Sequence, residues 1–460
     1  MANNIAALVP EWWAFESLRI LTKNLVVANL VNRDYDGYFA KGGDVVNINR
    51  TGTFTSVRKQ KGSPIVIQDA VVEGDTVKLN QHLHVSFELD DRDIQSSFVD
   101  LKTRFMVPAA RALAEGIDLI LMGEVYNFLG TTAGTIGAAV GDPALRDLNE
   151  AFTRNLIPRD GRNLIIGPST ENDMLGIDNF NDVAPRSENP ILNGWIGRAR
   201  SFDIYVANQT SEVSAPGIVV VSNALTLNGA AVKGQTVIPI TDAGTTDLLA
   251  GTMVTIVGDM HPQLITTVVG GGAGAVTSIT VWPGLQNNVL TGAIVNIYTE
   301  YQTANPGTTT YPVNYSGEIA VSKTGGAALN SLTALKIGQG VYLAGNMYMI
   351  TGIADDGTNI TTITLNRPLD AAVPNDSVIG PVPPANYNLA IIPDAVTLVN
   401  RPMRPVDVGT GVASGFAAAG NIALRVTIGY NMNIMKYVIT LDTLCGVKTL
   451  NQDMGGVLLA

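Results

Sequence analysis

Between residues 248 and 368 the chain repeats itself. LLAGTMVTIVG (248–258) is matched by LKIGQGVYLAG (335–345), and TSITVWP (277–283) by TTITLNRP (361–368), at a separation of 84 to 87 residues. Each copy carries a GxxVxIxG-like strand that stops at a glycine turn, so the repeat implies two related β-barrel or sandwich lobes. The surrounding stretch, 211–385, holds four bases against ten acids and is dominated by Gly, Thr and Val. Short strands alternate with turns there, and no helical periodicity breaks them. Helix and strand signals alternate on both sides of this stretch. The middle therefore reads as an all-β insertion into an α+β frame.

The frame begins with EWWAFESLRILTKNLVVANLV, where Trp13, Leu18, Leu21, Leu25 and Leu30 fall near helical spacing and predict an amphipathic N-terminal arm. From residue 41 the pattern turns β-branched. Val46 and Ile48 point one way and Asn47 and Asn49 the other, and the alternation resumes over Val77–Leu89. Arg58–Pro64 between them reads as the tip of a long two-stranded loop, which needs something to lie on, because an isolated hairpin is marginal in water. Asp90, Asp91 and Asp93 then read as carboxylates opening a helix, with apolar residues at Ile94, Phe98, Leu101, Phe105, Ala112, Ile117, Ile120 and Phe128. A helix over 91–128, bent or broken at Pro108, would extend about 57 Å and serve as a spine.

A Gly/Thr/Ala linker (130–141) leads to a helix with Asp142 as cap and Pro143 in its first turn, then to a buried strand in RNLIIGP, a helix from STENDMLG and a strand in SFDIYVANQ. After the insertion, YNLAIIPDAVTLVNRPM (387–403) resumes the frame. A mobile-looking Gly/Ala run (409–420) precedes the final alternating strands, the first of which puts Arg425, Thr427, Gly429 and Asn431 on one face.

Function classes narrow quickly. Charged residues are 15% of the chain, against about 25% in an ordinary globular protein. Two readings fit that figure: a surface largely covered by other protein, or a Gly/Ala/Thr/Val-rich β protein that needs few charges. The net charge of −11 and pI near 4.8 exclude a dedicated nucleic-acid binder, leaving weak, unspecific contact. A single cysteine, Cys445, precludes an intrachain disulfide and a Cys-based zinc site. MANNIAALVPEWW has no signal-peptide layout, and no apolar run reaches membrane-spanning length, so the expectation is a chain made and kept in cytoplasm.

The catalytic inventory is thin. His82 and His84 share a strand face, but no cysteine and no nearby carboxylate completes a metal site. Asp34 and Asp36 resemble the start of a calcium loop whose twelfth position is Val45 instead of glutamate. Phosphate-loop, nucleophile-elbow and HExxH motifs do not occur. No cofactor is expected. Arg50, Arg58, Lys59 and Lys61 suit an acidic patch on another subunit better than nucleic acid, since no aromatic platform interleaves them. Trp12 and Trp13 fit either a core or an anchor on a neighbour. With Asp90, Asp91 and Asp93, these are the candidate intersubunit contacts.

Five runs, in order, carry a resemblance: ANLVNRDYDGYFAKGGDVVNI, AARALAEGIDLIL, GWIGRARSFDIYVANQ, LAIIPDAVTLVNRPM and LRVTIGYNMNIMKYVITLDTLCGVKTL. Together they resemble the tailed-phage major capsid (coat) protein of the Hong Kong 97-like fold, most closely short-tailed-phage coat proteins with an inserted β domain. The likeness covers about residues 1–208 and 386–460. It implies an N-terminal arm (1–40), an extended loop (41–90), a spine helix and peripheral domain (91–168), a first axial part (169–210), the inserted β domain (211–385), and a second axial part with C-terminal strands (386–460).

What the resemblance implies about function is a shell builder and not an enzyme. Copies would form hexamers and pentamers that close an icosahedral shell around packaged double-stranded DNA, held by many weak interfaces. Implied partners are the chain itself, a separate scaffolding protein, a portal protein and, outside, a cement or decoration protein; no membrane is involved. The implied location is the virion, after assembly in host cytoplasm. The arm begins almost at Met1, which leaves no cleaved scaffolding segment, and nothing marks a Lys–Asn pair for an isopeptide bond, so the shell is expected to be non-covalent. The competing readings are an encapsulin-like nanocompartment shell and a phage tail or fibre protein.

Overall fold

The computed structural model describes residues 8–34, 45–50, 56–59, 61–62, 64–65, 67, 73–90, 105–177, 197–207, 211–212, 220–221 and most of 225–460. Within that last stretch, 242–247, 271–275, 299–300, 304–309, 324–328, 331–334, 356–358, 407–411, 420–421 and 433–435 lie outside the described residues. The fold is mixed α+β, mostly sheet with few helices. It divides into two compact units: Met1–Thr22, Arg33–Leu113 and Thr397–Leu450 in the first, and Lys23–Asn32, Ala114–Val396 and Asn451–Ala460 in the second.

In the first unit, helix α1 (Leu8–Asn24) buries Trp13, Ala14, Ser17, Leu18 and Leu21, one face at helical spacing, and leaves Phe15 exposed on the other. Strands Val45–Arg50 and Glu73–Lys78 pair antiparallel in full register as a ribbon. Its base buries Ile48 and Val77 against Leu79, Val399 and Leu450. Sequence alternation over 77–89 suggested one continuous strand. Instead the chain leaves the ribbon at Leu79–Asn80 and starts a new strand, Gln81–Asp90, paired to Lys436–Thr449 from Gln81↔Cys445 to Asp90↔Lys436. Alternation records which face is buried and not which partner is paired, so the switch leaves no sequence mark.

Asp90 accordingly ends a strand, whereas Asp91 and Asp93 lie outside the described residues. Lys436–Thr449 is flanked by Ile422–Asn431 and then Val412–Ala419, with Val396–Arg401 completing a five-stranded sheet. The Gly/Ala run is therefore partly a strand, with eight consecutive pairings from Val412↔Gly429 to Ala419↔Ile422. Ladder hydrogen bonds hold it despite poor strand propensity. A buried polar link ties three strands: Asn400 Nδ2 donates to Thr443 Oγ1 (2.7 Å), Asn400 Oδ1 accepts from Ala423 N (2.9 Å), and Thr443 Oγ1 donates to Ala423 O (2.9 Å).

Helix α2 is described over Val107–Met122, preceded by π-helical Phe105 and Met106, and the 91–104 part of the expected spine lies outside the described residues. Ala114, Ile117, Ile120 and Leu121 are buried. Also buried, Asp118 accepts from Val26 N (2.9 Å) and Ala28 N (3.1 Å), which fixes the segment 23–32 to the helix within the second unit. The helix narrows into the 3-10 segment Gly123–Phe128.

A mixed seven-stranded sheet organises one half of the second unit, in the order Thr132–Gly134, Gly455–Leu459, Asn386–Ile391, Asn163–Ile166, Phe202–Val206, Arg198–Ala199, with Ser211–Glu212 paired to Asn386–Ile391 off that path. Helices α3 (Asp142–Arg154) and α4 (Pro168–Leu175) belong to this part, whose core collects Leu145, Leu148, Phe152, Leu164, Phe202 and Leu458. Asp142 is not the cap of α3. Gly141 takes that place, and Asp142 receives Arg200 Nε (3.0 Å) and both its carboxylate oxygens accept from the terminal amine (2.9 Å each). Fully buried Arg162 donates to Pro158 O, Asn149 Oδ1 and Ile157 O near the end of α3, beside the Phe152 and Phe202 rings.

The other half holds two barrels. In barrel 1 the strand order is Thr226–Leu227, Val237–Thr241, Ser278–Trp282, Gln263–Val269, Met253–Ile256, Val295–Tyr298, with Thr226↔Ile294 bridging back to the start. Barrel 2 runs Tyr301–Thr303, Ile319–Lys323, Asn359–Leu365, Asn346–Asp355, Gly340–Leu343, Val378–Pro381, and Val378–Pro381 pairs Tyr301–Thr303 to complete six closed strands. In chain order the two connect their strands identically. Both turn at glycine after the repeated strand, Gly258 (φ 105°) and Gly345 (φ 89°), a region of φ that side chains with a Cβ rarely enter. Each owns a core: Ile238, Val254, Ile256, Ile265, Ile279 and Val281 in the first, Ile319, Val341, Leu343, Ile350, Ile363 and Ile379 in the second.

Candidate functional site

The ribbon of the first unit ends in exposed side chains. Beyond the last pair, Arg50↔Glu73, the described tip residues Arg58, Lys59 and Lys61 are exposed, and so are Val57 (54%), Ile65 (68%) and Ile67 (83%). Three bases and three large apolar side chains on one loop form a sticky, positively charged end. Of the other residues singled out by sequence, Trp13 is 5% exposed and belongs to the core face of α1. Trp12 sits on the same helix and Arg50 ends the first ribbon strand, but their side chains are outside the described residues.

His82 and His84 do stand on one strand face, their ring centroids 6.3 Å apart. A carboxylate is present after all. Asp442, buried on the paired strand, lies 3.0 Å from His82 Nε2 and is also bound by Arg425 through Nε (3.0 Å) and a terminal amine. The pairing of strands 360 residues apart creates this cluster, which no local motif could signal. With the carboxylate already engaged by a guanidinium, the arrangement is an ion network. Among the described residues no group of three His, Cys, Asp or Glu side chains is placed to hold a metal ion.

In the second unit the 3-10 segment Gly123–Phe128 is keyed into barrel 2. Glu124 (2% exposed) faces the Arg367 guanidinium at 3.0 Å, Arg367 pairs with Asp370, and its guanidinium stacks 4.7 Å from the Tyr348 ring centre. Burial alone would lower the Arg367 pKa, yet the adjoining Glu124 and Asp370 charges hold it above its ordinary value. Tyr126 donates to Gly338 O (2.8 Å), packs tilted against Tyr387 with ring centroids 5.1 Å apart and fills the space over Gly340, where a Cβ would lie 2.6 Å from its ring. Burial also pushes the Tyr387 phenol well above its usual pKa, with Tyr126 and Tyr298 adding to the rise. Sequence reasoning missed this junction, because Glu124 and Tyr126 sit in a run that reads as ordinary helix.

A half-open cleft of about 690 Å³ in the same unit is lined by α3, the Thr132–Gly134 edge, and Lys233, His261, Gln286 and Asn287 of barrel 1. Asp259, fully buried, accepts from Gln263 Nε2 (2.8 Å), Asn287 N (2.8 Å) and Gln286 N (3.3 Å), and lies 3.2 Å from His261 Nδ1. Three donors on one carboxylate, with the imidazole beside it, fix the loop 259–263. The arrangement anchors barrel 1, and no nucleophile is paired with the histidine among the described residues.

Cys445 is buried on the Lys436–Thr449 strand, and burial pushes its thiol up to about 12. The thiolate is the reactive form. Folded protein is therefore expected to resist alkylation at mildly alkaline pH and to react within minutes once unfolded in denaturant. Rapid labelling of the native chain would contradict this placement of the strand.

No described helix is long and apolar enough to cross a membrane. No family model and no curated protein matches the chain. Among solved structures it is similar to a chain of Mycobacterium phage Che8, with 13% identity over 94% of this chain and 90% of that one and a TM-score of 0.43. It is also similar to the capsid structure of the cyanophage P-SCSP1u (9% identity, 91% and 84% covered, TM-score 0.40). A third is the asymmetric unit of the bacteriophage PhiM1 mature capsid (9% identity, 91% and 82% covered, TM-score 0.39).

Proposed function

We propose that this chain is the major capsid (coat) protein of a tailed phage, built on a Hong Kong 97-like frame with an inserted pair of β-barrels. It assembles with itself, as hexamers and pentamers, into an icosahedral shell around double-stranded DNA, guided by a separate scaffolding protein. The observation that carries this reading is the ribbon: two strands that, among the described residues, pair only with each other, packed at the base and ending in Val57, Ile65 and Ile67 beside Arg58, Lys59 and Lys61, all exposed. An exposed apolar and basic end on a two-stranded ribbon is stable in water only when another surface covers it. In a shell, the neighbouring copy is that surface. With a net charge of −11, acidic side chains outnumber basic ones on the same chain, and many weak copies of one contact add up through avidity.

Changing Arg58, Lys59 and Lys61 together to glutamate is expected to abolish large particles in sedimentation velocity while leaving the far-ultraviolet circular dichroism of the monomer unchanged. Exposed charges contribute little to the fold itself. Particles of normal size from the triple variant would sink the ribbon as the assembling element.

A further inference from the structure

We propose that Asn228–Gly229 is a site of spontaneous succinimide formation, a slow change that turns side-chain amide 228 into a carboxylate at the seam where barrel 1 closes. The chemistry needs an accessible Asn side chain and an unhindered, unengaged backbone nitrogen after it. Asn228 is exposed and its side chain makes no hydrogen bond among the described residues; its own N donates to Pro239 O (3.0 Å). Gly229 N donates to nothing among the described residues. Gly229 holds φ at 124°, and a Cβ there would meet only Pro239 Cγ, at 4.0 Å. No side chain at residue 229 shields the nitrogen, and the positive φ is one that glycine adopts without strain.

The step balances without an oxidant or reductant. Gly229 N gives its proton to solvent base and bonds to Asn228 Cγ; the side-chain nitrogen takes a proton back from solvent, its bond to Cγ breaks and ammonia leaves, closing a five-membered imide. Water then adds to one of the two ring carbonyls and breaks that carbon's bond to the ring nitrogen. Attack at Cγ gives aspartate. Attack at the backbone carbonyl gives isoaspartate, with an extra methylene in the main chain.

The location gives the reaction a consequence. The adjoining strand, Thr226–Leu227, is two residues long and joins both edges of barrel 1. It pairs with Ile240 and Thr241 on one side, and on the other Leu227 N donates to Ala293 O (3.0 Å) and Gly292 N to Leu227 O (3.0 Å), next to the Thr226↔Ile294 bridge. A main-chain methylene one residue beyond Leu227 shifts that register, and a new negative charge arrives one residue from the strand. The same dipeptide at Asn193–Gly194 lies outside the described residues and serves as an internal comparison.

The test is peptide mass mapping of the full chain, kept folded in mildly alkaline and mildly acidic buffer, with a urea-unfolded sample beside it. The expected result is acid-for-amide conversion at residue 228 in the folded protein, faster in alkali, with both aspartate and isoaspartate as products. Gly229→Ala should slow it several-fold and Asn228→Ser should remove it. Hydrogen exchange at 225–227 and 292–297 should be faster in aged than in fresh protein, and in Asn228→Asp should stay near the fresh value, because aspartate keeps the register. An intact amide 228 in folded protein, while the unfolded sample converts, overturns the site. Conversion without a change in exchange overturns its effect on the seam.

Discussion

Arg367→Ala is expected to lower the unfolding free energy of the second unit by about 3–5 kcal/mol, the loss seen when one member of a buried ion network is removed. Arg367 is 9% exposed at its side chain, and Glu124 opposite it is 2% exposed. Without the guanidinium, two carboxylates, Glu124 and Asp370, are left close together with no cation, and the Met347 carbonyl loses its donor. The charged group is what matters. Arg367→Met combined with Glu124→Gln and Asp370→Asn should recover much of the loss, since replacing a whole buried network by neutral groups of similar volume is often close to neutral. Urea denaturation followed by tryptophan fluorescence reads both. A single variant within about 0.5 kcal/mol of the parent, the range of ordinary surface changes, would contradict the buried network.

Tyr126→Ala acts on the same 3-10 segment through packing, and about 3–5 kcal/mol is again expected, as for other large aromatic truncations in a core. Tyr126 is fully buried between barrel 2 and the central sheet, and its hydroxyl satisfies Gly338 O. Tyr126→Phe removes only that hydrogen bond and should cost about 1–2 kcal/mol. Since Glu124 and Tyr126 are two residues apart and seat the same barrel, their losses should not add: the double variant should fall short of the sum by about 0.5–3 kcal/mol. Additive losses would mean that the two side chains stabilise separate structures.

The parts of the fold that were legible in the sequence are those set by local pattern. The GTMVTIVG and GQGVYLAG strands stand at corresponding places in two barrels of the same connectivity, because a repeated pattern of core positions and glycine turns dictates a repeated strand layout. Buried Asn163–Ile166, helix α4 and the arm face of Trp13, Leu18 and Leu21 likewise follow from periodicity. What local pattern cannot encode is partnership. The change of sheet at Leu79–Asn80, the recruitment of a Gly/Ala run into a ladder at Val412–Ala419, and the meeting of Asp442 with His82 all depend on strands distant in the chain. Asp142 shows the same limit at close range: a carboxylate beside a helix start looks like a cap, yet Arg200 from a later turn claims it. At the ribbon, the basic tip could be read directly, whereas the exposure of Ile65 and Ile67 required the structure.

The most direct test of the account is negative-stain electron microscopy of the chain expressed alone and together with the scaffolding protein proposed for it. Closed icosahedral particles in both preparations, more uniform in size with the partner present, are the predicted result. Monomers or straight tubes under both conditions would contradict it and point to a tail or fibre component instead.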